Sequence, residues 1–129
     1  MSDIAIYGAG GFGRETALLI QQLSQADESW NLVGFFDDGL KKGTLVDSLP
    51  VLGGIIELNS YVQPLGVVMA IADPATRRTR VESVTNRRIT FPVISHPTAL
   101  MGSSSNGFGQ GVIITAGVML TTGIRIGDF

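Results

Sequence analysis

Ile6-Tyr7-Gly8-Ala9-Gly10-Gly11-Phe12-Gly13 decides the fold. Four of these eight residues are glycine. Before them, Asp3 to Tyr7 alternates and then turns apolar, as a buried strand does. After them, Glu15 to Leu23 carries Ala17, Leu18, Leu19, Ile20 and Leu23 as the apolar face of a helix. Gly8-Ala9-Gly10-Gly11-Phe12-Gly13 fits G-x-G-x-x-G between a strand and a helix. Gly8 permits the tight turn, Gly10 lets backbone approach a ligand phosphate, and Gly13 lets the helix pack close to the sheet. The helix N-terminus, with Gly11 beside it, offers free N–H groups and a positive dipole end to an anion. The bland alternative is a turn whose glycines serve helix–strand packing alone.

Working outward, Asn31 to Phe36 reads as a second strand, closed by Asp37-Asp38-Gly39, with Asp37 24 residues after Gly13. A carboxylate at that strand end accepts hydrogen bonds from ribose hydroxyls, or else belongs to a solvated turn. Lys41 to Pro50 reads as a polar, turn-rich connection. Val51 to Val62 holds a short strand near Val51-Leu52 and a short helix from Ile55. Gly66 to Ala72 is a continuous apolar run, as a central parallel strand covered on both faces requires. Asp73-Pro74 supplies an N-cap and a proline at the first helical position, opening a helix through Asn86. Ile89 to Ile94 reads as a last strand interrupted by Pro92.

Strands alternating with helices predict a doubly wound parallel α/β domain over residues 1–95. Ligands of such sheets bind outside the carboxyl ends of the strands. Ile71 sits at that end of the central strand, and Arg77, one turn into the next helix, has the reach for a phosphate. Arg78, Arg80, Arg87 and Arg88 read as a solvated basic face. The domain has length for one βαβαβ half, which makes a mononucleotide or nucleotide-sugar more economical than a dinucleotide.

Composition narrows the function. The chain has 129 residues, enough for one domain and a small appendage. A net charge of −2 argues against a nucleic-acid or membrane-surface binder. With no cysteine and one histidine, thiol nucleophiles and cysteine- or multi-histidine metal sites are excluded. No apolar run reaches membrane-spanning length and no basic signal peptide leads the chain, so a cytoplasmic protein is expected.

His96-Pro97 marks a boundary, and residues 96–129 have a different character. Only Arg125 and Asp128 are charged there. Ile114, Leu120 and Ile126 recur every six residues; Phe108 extends the series, and Met101 joins it with one extra residue. Val112, Val118 and Ile124 run in parallel two positions earlier. Hexapeptide spacing of this kind predicts a β-helix, three hexapeptides to a triangular coil, against the alternative of an ordinary hairpin pair. Only about one coil precedes Phe129, where three or more repeats usually make a stable stack, so the chain is expected to be a fragment or to have that end covered.

Ile6-Tyr7-Gly8-Ala9-Gly10-Gly11, Phe36-Asp37-Asp38, Ala70-Ile71 with Arg77, His96-Pro97-Thr98-Ala99 and the hexapeptides, in this order, resemble the sugar O/N-acyltransferases of the sialic-acid O-acetyltransferase and bacillosamine N-acetyltransferase type. The resemblance implies a small Rossmann-like domain that binds a UDP-sugar, followed by the start of a left-handed β-helix. It implies acetyl-CoA as cosubstrate, transfer of acetyl to a sugar amine or hydroxyl with a histidine as general base, and a homotrimer for the intact enzyme. Carried over by position, Gly8, Gly10, Gly11 and Gly13 form the nucleotide-sugar turn, Asp37 and Asp38 meet the uridine or ribose, and Ile71 and Arg77 complete the pocket. This chain has Phe12 where the family often has histidine, and Ala72 where it favours glycine. The family's catalytic histidine and most of its acetyl-CoA site fall in later coils, so no catalytic residue and no bound cofactor are expected here. His96 matches a position that looks structural.

Two other functions fit part of the sequence. A NAD-binding redox or sensor module accounts for the glycine turn and Asp37 and leaves the hexapeptides unexplained. A non-catalytic assembly element accounts for a short β-helix stub docking on a partner.

Overall fold

The computed structural model describes residues 2–27, 30–95, 100–101, 107–108, 110–111, 113–114, 119–120, 125–126 and 128. The first part alternates strands and helices: β1 (Ser2–Tyr7), α1 (Gly11–Asp27), β2 (Trp30–Phe36), β3 (Leu45–Val46), β4 (Leu49–Gly53), α2 (Ile55–Asn59), β5 (Leu65–Met69), α3 (Pro74–Glu82) and β6 (Ile89–Thr90). They form one sheet in the order β3-β4-β2-β1-β5-β6. Every pairing is parallel except that of the edge strand β3 with β4. The chain moves outward from β1 through β2 to β4, then returns to place β5 on the other side of β1. The order therefore reverses between β1 and β5, the point at which sheets of this kind open a crevice at their carboxyl end.

Two-sided burial explains why β1 and β5 sit in the middle. In β1, Ile4 and Ile6 join the core on the α1 side, with Ala17, Ile20, Phe35 and Val68. Ala5 and Tyr7 face the opposite layer, with Phe36, Leu58, Val67 and Met69. Successive strand residues point to opposite faces, so a strand apolar at every position is stable only when both faces are covered. Each fully buried aliphatic or aromatic side chain stabilises by roughly 1.5–3 kcal/mol.

Three local expectations are corrected. The 41–50 connection contains a β-hairpin: Val46 pairs with Leu49 across a two-residue turn. Asp47 and Ser48 both have positive φ, 49° and 70°, the signature of a type I′ turn. The arms are too short for periodicity to show. The third helix ends at Glu82, not Asn86. Residues beyond it bond to the end of α2 instead: Asn59 Oδ1 accepts from Thr85 N (2.8 Å) and Asn86 N (3.3 Å), and Asn86 Nδ2 donates to the carbonyls of Leu58 and Tyr61. The last strand is divided, since Pro92 has no N–H to give a ladder. Ile89–Thr90 pairs with β5, while Ile94–Ser95 leaves the sheet.

Ile94–Ser95 (β7) pairs in parallel with β10 (Ile113–Ile114), Leu100–Met101 (β8) with β11 (Met119–Leu120), and Gly107–Phe108 (β9) with β12 (Arg125–Ile126). Three successive short strands each meet a partner one coil later, as in a parallel β-helix beginning. The partners lie 19, 19 and 18 residues further along. Three hexapeptides account for 18, and the extra residue between Met101 and Phe108 accounts for the 19s. His96-Pro97, Thr98 and Ala99, and the positions 112, 118 and 124 of the second apolar series, lie outside the described residues.

Replacing Ser48 by glycine removes an L-residue from the left-handed region and creates the favoured Asp-Gly pair. Ser48→Gly is expected to stabilise the domain by about 1 kcal/mol, read as a raised urea midpoint with an unchanged slope.

Candidate functional site

The crevice at the β1/β5 reversal is held together by backbone. Gly8 N donates to Phe36 O (2.8 Å), Ala70 N to Tyr7 O (2.9 Å) and Asp37 N to Gly53 O (2.9 Å), carrying the ladder past the strand ends. Gly8 has φ +105°, and a Cβ there would stand 2.6 Å from the Ala70 carbonyl oxygen. A Cβ on Gly13 would run into the Gly8 carbonyl oxygen. Both positions therefore demand glycine for the fold itself: the β1 loop is pressed between α1 and the loop after β5. Gly10 and Gly11 are different, because among the described residues no atom apart from the neighbouring backbone lies within 4 Å of a Cβ built on either. Their backbone faces open space at the start of α1, a helix of 17 residues whose first N–H groups lack intrahelical acceptors.

Both acidic residues converge on this rim, facing different ways. Asp37 turns toward the glycine loop: Oδ2 accepts from Ala9 N at 2.9 Å and Oδ1 from Gly39 N at 2.8 Å. Asp38 turns toward the α2/α3 layer. Its Oδ2 accepts from the Tyr7 hydroxyl at 2.5 Å and pairs with Arg80 Nη1 at 3.3 Å, and its Oδ1 accepts from Ile55 N at 2.9 Å. That last bond meets a free donor of α2, which begins after Gly54, a residue with no capping side chain; Glu57 Oε2 accepts from Gly54 N at 2.8 Å and meets another. Partial burial pushes the Asp38 pKa up, but the Tyr7 hydroxyl, the Ile55 amide and the Arg80 charge outweigh it and hold the carboxyl below its ordinary value. Burial, then the neighbouring Asp38, push the Tyr7 phenol well above its ordinary value.

Ile71 is partly buried against the Tyr7 layer. The Arg77 guanidinium reaches back over the crevice wall, donating to Ile71 O at 2.8 Å. A cleft of about 360 Å³ runs between Arg77, Arg78 and Val81 of α3 and Asp128. The glycine turn, Asp37, Asp38, Ile71 and Arg77 are thus brought to one end of the sheet. Arg80 is not on a solvated basic face: its guanidinium lies over the Tyr7 ring, 5.9 Å from the centroid, and bonds Asp38. Sequence reading missed both Tyr7 and Arg80. Arg80 falls one turn after Arg77 on the same helix face, and that spacing was the available signal. Arg14 reaches the hairpin turn, with Nε 2.9 Å from Asp47 Oδ2. His96 lies outside the described residues.

With this geometry in place, comparison with known proteins is decisive. The family described as PglD N-terminal domain matches residues 3–84. The chain belongs to this family. A GDP-perosamine N-acetyltransferase of Escherichia coli O157:H7 is 32% identical over 130 residues, covering all of this chain and 58% of that protein. Among solved structures, the acetyltransferase domain of PglB from Neisseria gonorrhoeae FA1090, in complex with acetyl coenzyme A, matches with a TM-score of 0.81 at 30% identity, over 98% of this chain and 58% of that one. PerB from Caulobacter crescentus, in complex with CoA and GDP-perosamine, has a TM-score of 0.76 at 23% identity over 99% of this chain, a likeness of fold. The chain thus spans little more than half the length of these relatives.

Gly13→Ala drives a methyl group into a carbonyl and should cost roughly 3 kcal/mol or more, whereas Gly10→Ala should stay within about 1 kcal/mol of the parent, both read by urea unfolding. Because the folded-state pKa of Asp38 is depressed, its contribution is present at neutral pH and lost as pH falls through the folded value. Wild-type stability should therefore drop below about pH 4 more steeply than that of Asp38→Asn, measured by thermal unfolding across pH 2–7.

Proposed function

We propose that residues 1–95 are the nucleotide-sugar-binding domain of a sugar acetyltransferase, and that residues 96–129 begin the β-helix carrying the rest of the enzyme. The observation that carries this is the pair Gly10 and Gly11. The fold needs glycine at Gly8 and Gly13 for its own packing, but among the described residues nothing occupies the space over Gly10 and Gly11. Backbone N–H groups at the start of α1, open to approach, suit a diphosphate. Asp37, held by Ala9 and Gly39, has acceptor capacity left for ribose hydroxyls. Ile71 and Arg77 form the wall across the crevice.

Family membership and the relatives' activities support a nucleotide-activated amino sugar as the acceptor and acetyl-CoA as the donor. In such a transfer the sugar amine attacks the thioester carbonyl, a C–N bond forms, the C–S bond breaks, and the CoA thiol leaves with the amine's proton. No described residue of this chain is assigned to that step. The nucleoside is uridine, as the family resemblance implies, or guanosine, as the GDP-perosamine enzymes suggest. The same reading makes the intact enzyme a cytoplasmic homotrimer with no role in binding nucleic acid or membrane. Among the described residues no helix is long and apolar enough to cross a membrane.

A parallel thermal-shift titration with UDP, GDP, their amino-sugar conjugates, NAD and acetyl-CoA tests the proposal. A ligand that binds only the folded state stabilises by about 2.7 kcal/mol at 100-fold its Kd. One nucleoside diphosphate and its sugar conjugate should raise the Tm, and Gly10→Val should abolish that shift while leaving the unliganded Tm nearly unchanged. A shift with NAD alone would replace this reading with a dinucleotide-binding module.

A further inference from the structure

We propose that Asp38 is a positioning residue rather than a nucleotide ligand: it fixes the far wall of the crevice through Tyr7, Ile55 and Arg80, and leaves the ribose contact to Asp37. This rests on the nucleotide-sugar reading above and divides labour within that site.

The two carboxylates are adjacent in sequence but take their donors from different elements. Asp37 takes one backbone N–H on each oxygen, both from the loops beside the open glycine backbone. An ionised carboxylate has about four acceptor positions, so about half of its capacity remains for ligand hydroxyls. Asp38 takes three donors from three separate elements: the Tyr7 hydroxyl at the end of β1, the first amide of α2, and the Arg80 guanidinium of α3. These draw its carboxylate toward the layer that holds Phe36, Leu58 and Met69, on the other side of the sheet from α1.

What Asp38 holds matters for the crevice. No residue of α3 is buried. The helix meets the sheet through partly buried Val81, with Val84 just beyond its end, and through Arg80, which stacks on Tyr7 and pairs with Asp38. Arg77, one turn earlier, is bonded to the carbonyl of Ile71. Loosening the Asp38 anchor therefore releases Arg80, and with it the placement of Arg77 and the β5 loop opposite the glycine turn.

Isothermal titration with the nucleoside diphosphate that binds, and with its 2′-deoxy and 3′-deoxy counterparts, separates the two acids. Wild type should prefer the ribose form by roughly tenfold or more, the worth of a hydrogen bond to a charged group. Asp37→Asn should erase that preference. Asp38→Asn and Tyr7→Phe should each weaken all the ligands alike, by about three- to tenfold, and keep the preference. Their double variant should be no weaker than Asp38→Asn alone within about twofold, since both cut one linkage.

Loss of the ribose preference in Asp38→Asn, or its survival in Asp37→Asn, overturns the proposal. So does a wild type that lacks the preference. A latch that is structural alone would lower the Tm of these variants and leave the affinity of the folded protein untouched, which also overturns it. Should Asp38→Asn fail to fold, Tyr7→Phe decides: weaker binding with the preference kept supports the assignment, and unchanged affinity removes it. A folded wild type that binds no nucleotide at all instead overturns the underlying site reading, and this division of labour with it.

Discussion

The structure turns on one close approach, where α1 comes down onto the end of β1 with Gly13 against the carbonyl of Gly8, and Gly8 in turn lies against the carbonyl of Ala70. Three chain segments meet there with backbone on backbone and no side chain between them. This contact sets the height of α1 above the sheet, aims its first amides over the crevice, and fixes the spacing of the β1 and β5 loops. The open backbone of Gly10 and Gly11 and the Asp37 carboxylate that braces Ala9 are both referenced to it.

Polar contacts take over where apolar packing runs out. The inner strands are locked by burial on both faces and need no help. The rim elements are different: α2 is short, α3 buries nothing completely, and the β3–β4 hairpin sits at the sheet edge. Each is tied by side chains reaching backbone or a partner's charge. Asp38 holds α2 and α3, Asn59 and Asn86 knit the end of α2 to the segment before β6, and Arg14 holds the hairpin turn. A rim tied this way keeps a defined shape without the area that a hydrophobic seal would require.

The central architecture was legible in the sequence because two-sided strands and a glycine turn leave strong local traces. Ile4–Tyr7 and the run at Gly66 are apolar at successive positions, and Asp73-Pro74 announces α3. The cap formed as read, with the Asp73 carboxylate accepting from Thr76 N at 2.9 Å. The hairpin escaped because its strands are too short for a period to register. Arg80 escaped because its spacing from Arg77 gives only the helix face the two share, and not that this face meets a tyrosine 73 residues earlier. The commitments of Asp37 and Asp38 escaped for the same reason: adjacent acids look alike until the fold shows which layer each side chain enters. The hexapeptide phase, by contrast, was visible from Ile114, Leu120 and Ile126, and it reappears as the pairing of β10, β11 and β12 with the coil before.

The unequal coil offsets carry a consequence for how such a chain tolerates length change. Pairing on each face is fixed by the neighbour above, so a residue inserted between rungs is absorbed where it occurs and the rungs after it regain the six-residue phase. The step between Met101 and Phe108 already holds one such residue, and Ile114, Leu120 and Ile126 keep time regardless. A β-helix built like this takes up an added residue where it falls: the pairings before and after it hold, and the six-residue phase resumes.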